Sequence, residues 1–119
     1  MEMISTKQAD IWEIDLSPAI GAEIQKVRPA VIINDDAIGV LPLRVIVPVT
    51  GWKDQFQDAP WMVKLKPEPE PNNNLKKIPV ADCFQIRSVS TLRFVRRIGT
   101  VSIENLERIK EAVKAVIDA

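Results

Sequence analysis

The chain reads as a mainly β protein closed by one C-terminal helix, and three observations carry that reading. Short runs rich in β-branched and other apolar residues recur from Asp10 to Val101, broken by Pro, Gly, Asn and Asp. From Ser102 the apolar period changes from two to three and four. Strand-helix-strand alternation is absent, which argues against a doubly wound α/β sheet. The economical architecture is a small, curled antiparallel sheet or barrel of five to seven short strands, with the helix packed on it.

The elements follow in order. "DIWEIDL" alternates Trp12, Ile14 and Leu16 against Glu13 and Asp15, the period of a half-buried strand. "SPAIGAEIQKV" is a loop marked by Ser17-Pro18 and Gly21. "PAVIIN" is apolar on both faces and reads as a central strand starting at Pro29, where proline costs no ladder bond. Asn34, Asp35, Asp36 and Gly39 make a turn, and "LRVIVPVT" is the next strand, ending at Thr50. "GWKDQFQDAP" is a loop before the short strand "WMVKLK". "PEPEPNNNLKK" is the clearest breaker, and its place between two strand signals makes it a surface excursion within one domain spanning residues 1–119. "IPVADCFQIRSV" and "LRFVRRIGTV" return to strand. Ile103, Leu106, Ile109, Val113, Val116 and Ile117 then form one helical stripe, with Ser102 as N-cap and Glu104 at the positive end of the helix dipole.

Composition narrows the chemistry. At 119 residues, with 46% hydrophobic side chains, the chain can bury roughly two-thirds of its unfolded surface and hold a core without staples. No apolar run approaches the roughly 20 residues that cross a bilayer, and the N-terminal stretch does not read as a signal peptide, so no membrane role and a cytoplasmic location are expected. There is no histidine and one cysteine, which removes the usual general base and the nitrogen- and sulfur-rich metal sites. No metal and no cofactor are expected. Cys83 reads as a small buried side chain. With 16 basic and 16 acidic residues the net charge is zero, yet Phe84 to Ile98 carries Arg87, Arg93, Arg96 and Arg97 and no acid. That stripe fits a polyanion met at one place, and equally a solvated face paired with acids elsewhere.

The residues that carry chemistry stand at strand ends. Arg28 sits where loop becomes rigid strand, and its planar, permanently charged guanidinium can hold a phosphate through two hydrogen bonds. From spacing alone, a structural salt bridge to Glu23 or Asp15 is the favoured alternative. Thr50 ends its strand before Gly51, where a hydroxyl can donate to a phosphate oxygen or simply cap a turn. In "FQIRSV", strand alternation puts Gln85 and Arg87 on one face and Phe84 and Ile86 on the other. Trp52, Phe56 and Trp61 flank a loop able to stack single-stranded bases, or to fill a core or dimer contact.

Taken in order, these pieces resemble the MazF/PemK family of sequence-specific endoribonuclease toxins. The resemblance rests on Asp10-Ile11-Trp12, Asp15-Leu16-Ser17-Pro18, Gly21-Ala22-Glu23, Arg28-Pro29-Ala30-Val31-Ile32, Thr50, and Gln85-Ile86-Arg87-Ser88. Two departures stand at the start, where Ala9 replaces the family's usual glycine and Gln8 its basic residue. The resemblance implies an SH3-like antiparallel β-barrel of the MazF/PemK/CcdB type with a C-terminal helix, a homodimer, and a cognate antitoxin whose acidic tail crosses the RNA groove. DNA contact is expected only through the antitoxin complex. It also implies metal-independent cleavage of single-stranded RNA by attack of the 2′-hydroxyl. Arg28 and Thr50 are the expected catalytic pair, and Glu23, Lys26, Gln85, Arg87 and Trp52 the expected RNA contacts. Two rivals are a CcdB-like toxin that binds gyrase and a noncatalytic barrel that binds RNA or peptide.

Overall fold

The computed structural model describes residues 4–38, 41–65 and 78–119, so Gly39 and the Pro- and Asn-rich excursion lie outside the described residues. Among the described residues seven strands and one α-helix are formed: β1 (Asp10–Asp15), β2 (Val27–Ile32), β3 (Leu43–Gly51), β4 (Met62–Lys64), β5 (Pro79–Asp82), β6 (Arg87–Ser90), β7 (Phe94–Thr100) and α1 (Ile103–Ile117). The strand order is β4-β5-β3-β2-β1-β7, with β6 also on β3. Every pairing is antiparallel. The mainly β reading with a closing helix is what the structure contains.

Both faces of this sheet are packed. Ile11, Val31, Val47, Val49, Ala81 and Cys83 meet Leu106, Ile109 and Ala112 of α1 on one face. Trp12, Ile14, Leu16, Ala30, Ile32, Ile46 and Val89 form a second cluster, against which Ile4, Ile24 and Phe94 pack. Two cores explain a departure in β1. Ile11 and Trp12 are consecutive and both buried, because a register shift between them interrupts the pairing with β7. Strict alternation therefore understates how much of β1 is covered.

β2 begins at Val27, two residues before the expected start, and Pro29 lies inside it opposite Glu13 of β1. Proline is tolerated there because the ladder with β3 on the other edge begins only at Ala30. The helical stripe is narrower than its sequence pattern. Leu106, Ile109 and Ala112 are buried, whereas Ile103 and Ile117 at the two ends are exposed. Ser102 caps the helix as expected, its Oγ accepting the Asn105 N–H at 3.1 Å.

The largest departure lies in "IPVADCFQIRSV". β5 pairs with β3 up to Val49 opposite Ala81, and β6 pairs with β3 from Ile46 opposite Arg87. Val47 and Pro48 therefore face the whole stretch from Asp82 to Ile86, which has more residues than the gap can pair. The surplus is a 3₁₀ turn, Cys83–Gln85. Pro48 stands in this unpaired gap, where its missing N–H costs no bond to β5 or β6. The turn pushes Phe84 outward, to 62% exposure, while Cys83 is held inside.

Candidate functional site

The loop from Leu16 to Lys26 is closed at its base and carries Arg28 at its exit. Leu16 N–H donates to the Lys26 carbonyl at 2.9 Å, and Lys26 N–H to Ser17 Oγ at 3.0 Å. Lys26 turns the chain with φ +69°, and Gly21 does so at the tip with φ +59°. The Glu23 carboxylate accepts the Ile20 N–H at 2.7 Å, and the Asp15 carboxylate accepts the Ser17 N–H at 3.0 Å. Both acids that could have paired with Arg28 thus bond the backbone of the loop instead. Arg28 is exposed, and its one hydrogen bond among the described residues runs from Nε to the Gln25 carbonyl at 3.3 Å. Its two terminal nitrogens are left for a ligand, and the structural salt bridge favoured by spacing is not formed.

Arg28 and Thr50 are brought into relation by strand register. β2 pairs with β3 through Ala30 opposite Pro48, Val31 opposite Val47 and Ile32 opposite Ile46. Carried on by two residues, that register sets Arg28 opposite Thr50, with both side chains on the same face as Ala30 and Pro48. The ladder stops short of them, at Ala30 opposite Pro48, and beyond it β3 pairs with β5 through Thr50 opposite Val80. The two residues therefore stand where β2 and β3 part. Thr50 is half-buried, and its hydroxyl makes no hydrogen bond among the described residues.

An open cleft of about 550 Å³ is lined by Glu23, Trp61, Asp82, Phe84, Gln85 and Arg87, with Ala22 and Ile86, and includes neither Arg28 nor Thr50 in its lining. It gathers three of the predicted RNA contacts, Glu23, Gln85 and Arg87. Alternation had set Phe84 and Ile86 on the opposite face from Gln85 and Arg87, but the 3₁₀ turn brings all four to one cleft. Phe84 meets Trp61 edge-to-face, with ring centroids 5.7 Å apart. Asp82 was not singled out in the sequence. It is 5% exposed, accepts the Phe84 N–H at 3.2 Å, and burial raises its pKa above the usual carboxylate value. The Cys83 thiol beside it is pushed up to about 12, by burial first and by the Asp82 charge second.

Other expected contacts are placed differently. The Gln85 amide is committed to the protein: Oε1 accepts the Ile24 N–H at 2.6 Å, and Nε2 donates to the Ala22 carbonyl at 3.2 Å and to Asp82 Oδ2 at 3.3 Å. Trp52 lies outside the cleft, with its ring edge-to-face with Phe56 and Lys64 Nζ 3.9 Å from its centroid. One face of its indole is thereby occupied by a cation. Lys26 is exposed at the loop exit.

The arginine stripe is divided by the same accounting. Arg96 pairs with Glu13 at 2.8 Å, Arg97 with Asp10 at 3.2 Å, and Arg93 donates to the carbonyls of Asp15 and Ser17. Only Arg87 of the four makes no hydrogen bond or ion pair among the described residues. Among those residues no cluster of three metal-ligating side chains is present, and no helix is long and apolar enough to cross a membrane.

Comparison with known families decides the assignment. The profile of the PemK-like, MazF-like toxin of type II toxin-antitoxin systems matches residues 7–117. The chain belongs to this toxin family. Endoribonuclease MazF9 of Mycobacterium tuberculosis (strain ATCC 25618 / H37Rv) is a relative, 33% identical over 118 residues that cover 94% of this chain and 96% of that protein. The crystal structure of MazF from Deinococcus radiodurans shares the MazF-like fold with a TM-score of 0.77 at 19% identity, covering 96% of this chain and 97% of the other. An endoribonuclease in complex with its cognate antitoxin, from a Mycobacterial species, matches with a TM-score of 0.74 at 15% identity, covering 96% of each chain. The barrel-like fold expected from the sequence is thus the fold of the MazF toxins.

Proposed function

We propose that this chain is the endoribonuclease of a toxin-antitoxin pair and cleaves single-stranded RNA at the edge where Arg28 and Thr50 face each other. The observation that carries the reading is the state of Arg28: an exposed guanidinium on a rigid strand, with no acid against it, in a chain of the MazF-like toxin family. A guanidinium left unpaired beside a hydroxyl suits a phosphodiester.

The RNA supplies its own nucleophile. The ribose 2′-oxygen attacks the adjacent phosphorus, the bond to the 5′-oxygen of the next nucleotide breaks, and the products are a 2′,3′-cyclic phosphate and a 5′-hydroxyl. The proton lost by the 2′-hydroxyl is balanced by the one gained at the leaving oxygen. The protein has to position the phosphate and neutralise the charge that builds on its oxygens. Arg28 does the latter through its free terminal nitrogens. Thr50 holds a phosphoryl oxygen or relays the proton. A guanidinium has no lone pair available to take a proton and is a poor base, so electrostatic stabilisation is the main role of Arg28. Glu23, Lys26, Arg87 and the exposed ring of Phe84 offer the surface on which the flanking nucleotides lie.

Residues 1–119 act as one domain in the cytoplasm, as a homodimer. Exposed Leu41, Leu43 and Leu92 support the dimer; Leu43 pairs with Ser90, and Thr91 N–H donates to the Pro42 carbonyl, which draws the three together. The partner that restrains the activity is a cognate antitoxin, and DNA is met only through that complex. Incubating purified protein with RNA, beside a gyrase supercoiling assay, tests the reading. Cleavage of RNA with no effect on gyrase is expected. Inhibition of gyrase without RNA cleavage, or retention of RNA without cleavage, would replace it with one of the two rivals.

A further inference from the structure

We infer that Gln85 is a positioning residue for Arg28, acting through the loop that leads into β2, and not a reader of RNA bases. The inference rests on the proposed role of Arg28. Both ends of the Gln85 amide are already satisfied by protein, across 61 to 63 residues of sequence: Ile24 N–H and the Ala22 carbonyl on the loop, Asp82 on its own turn. A base that displaced these contacts would leave the Ile24 N–H and the Ala22 carbonyl to find new partners, at a cost comparable to what the new bonds return.

The same bonds are the only side-chain hydrogen bonds, among the described residues, that tie the tip of the loop to the turn between β5 and β6. The other ties hold its ends. Arg93 grips the carbonyls of Asp15 and Ser17, and Lys26 closes on Ser17 and Leu16. One residue past Ile24 is Gln25, whose carbonyl accepts Arg28 Nε. Gln85 therefore fixes the backbone whose next carbonyl sets the direction of the guanidinium. The chain of contacts runs from Asp82 through Gln85 and the Ile24 amide to the Gln25 carbonyl and Arg28. Ile24 packs on the core cluster of Trp12 and Ile14 independently of Gln85. Losing the amide should thus let the loop tip drift without unfolding it.

The two roles predict different kinetics. A positioning residue that acts through Arg28 is felt where charge develops, so its loss lowers kcat and leaves KM nearly unchanged. A base reader, once removed, raises KM or alters which sequence is cut. The variant of choice is Gln85→Met, which keeps the length and bulk of the side chain and removes its hydrogen bonds. Steady-state cleavage of RNA by wild type and variant should show kcat falling about tenfold to a hundredfold, the cost typical of a small misplacement of a reacting group. The cleaved sequence, mapped from the product ends, should stay the same. In nitrogen-15 spectra of the protein without RNA, the Arg28 Nε–H should exchange faster with water in the variant than in wild type.

An unchanged kcat, a changed cleavage sequence, or an Arg28 Nε–H signal identical in the two proteins would overturn the inference. A wild-type protein that cuts no RNA would instead overturn the function proposed above, and the spectra would still decide whether Gln85 holds Arg28. Should Gln85→Met fail to fold, Gln85→Leu carries the same test, because it too removes both the acceptor for Ile24 N–H and the donor to Ala22 and Asp82.

Discussion

Arg28 shows how a single side chain acquires a role from what its neighbours are already doing. Glu23 and Asp15 are near it in sequence and opposite in charge, yet each turns an oxygen to a backbone N–H of the loop and neither forms an ion pair with Arg28. Arg28→Ala should lower RNA cleavage by about a hundredfold to a thousandfold, the usual cost of removing one preorganised donor, while the thermal unfolding midpoint moves little. Cleavage measured with the variant at wild-type rate would remove Arg28 from the site. Ala9 is informative in another way. It adopts φ +78°, between an N–H that donates to the Ile32 carbonyl and a carbonyl that accepts from Val101. A side chain in that region costs roughly 1–2 kcal/mol, against the entropy that glycine loses on folding. Ala9→Gly should therefore raise stability by up to about 1 kcal/mol in denaturant unfolding; a lower midpoint would show that the strain is absent. The departure from the family's usual glycine was visible in the sequence, but the backbone angle that gives it meaning was not. Cys83 belongs to the same scale. With its thiol buried and pushed up to about 12, it should react with Ellman's reagent at pH 8 only after denaturation.

At the scale of elements, the β-branched runs and the change of period after Ser102 located the strands and the helix, because those signals come from each segment alone. The turn at Cys83–Gln85 escaped, since it arises from a count made between strands: β3 has too few residues between its two pairings to match the facing chain. Nothing within "DCFQIRS" records that surplus. For the same reason Gln85 looked like a face-sharing partner of Arg87, and its contacts with Ala22 and Ile24 were out of reach of any local pattern. The register that, carried on by two residues, points Arg28 toward Thr50 is likewise a property of the β2 and β3 pair. The turn also buries Asp82. Its native pKa is raised above 3.8, so ionising it costs more in the folded protein than in the unfolded chain. Stability is then lost as pH rises from below 3.8 through the raised native value, and the loss is complete above it. Asp82→Asn should remove this part of the pH dependence, so the difference in unfolding midpoint between variant and wild type should shift in favour of the variant from pH 3.5 to 7. A difference independent of pH would mean that Asp82 ionises normally.

Across the whole molecule, a neutral chain without histidine ties most of the arginines of its basic stripe to its own acids and carbonyls and keeps Arg28 exposed at the edge proposed to bind phosphate. Three of the four arginines in the basic stripe are tied to Glu13, Asp10 and loop carbonyls, which leaves Arg87, in the lining of the cleft, as the one stripe arginine whose side chain has no partner among the described residues; Arg28, outside the stripe, is held only through Nε. The two packed faces of the sheet hold that edge in place, one through α1 and the other through Trp12, Ile14 and Phe94. This edge is proposed to cleave RNA with the substrate's own 2′-hydroxyl as nucleophile. That proposal is tested most directly by incubating the purified protein with RNA in EDTA and determining the chemistry of both ends at each cut. Cleavage that persists and leaves 2′,3′-cyclic phosphate and 5′-hydroxyl ends, and that Arg28→Ala slows about a hundredfold to a thousandfold, is the result predicted. Loss of cutting in EDTA, or 5′-phosphate ends, would contradict it.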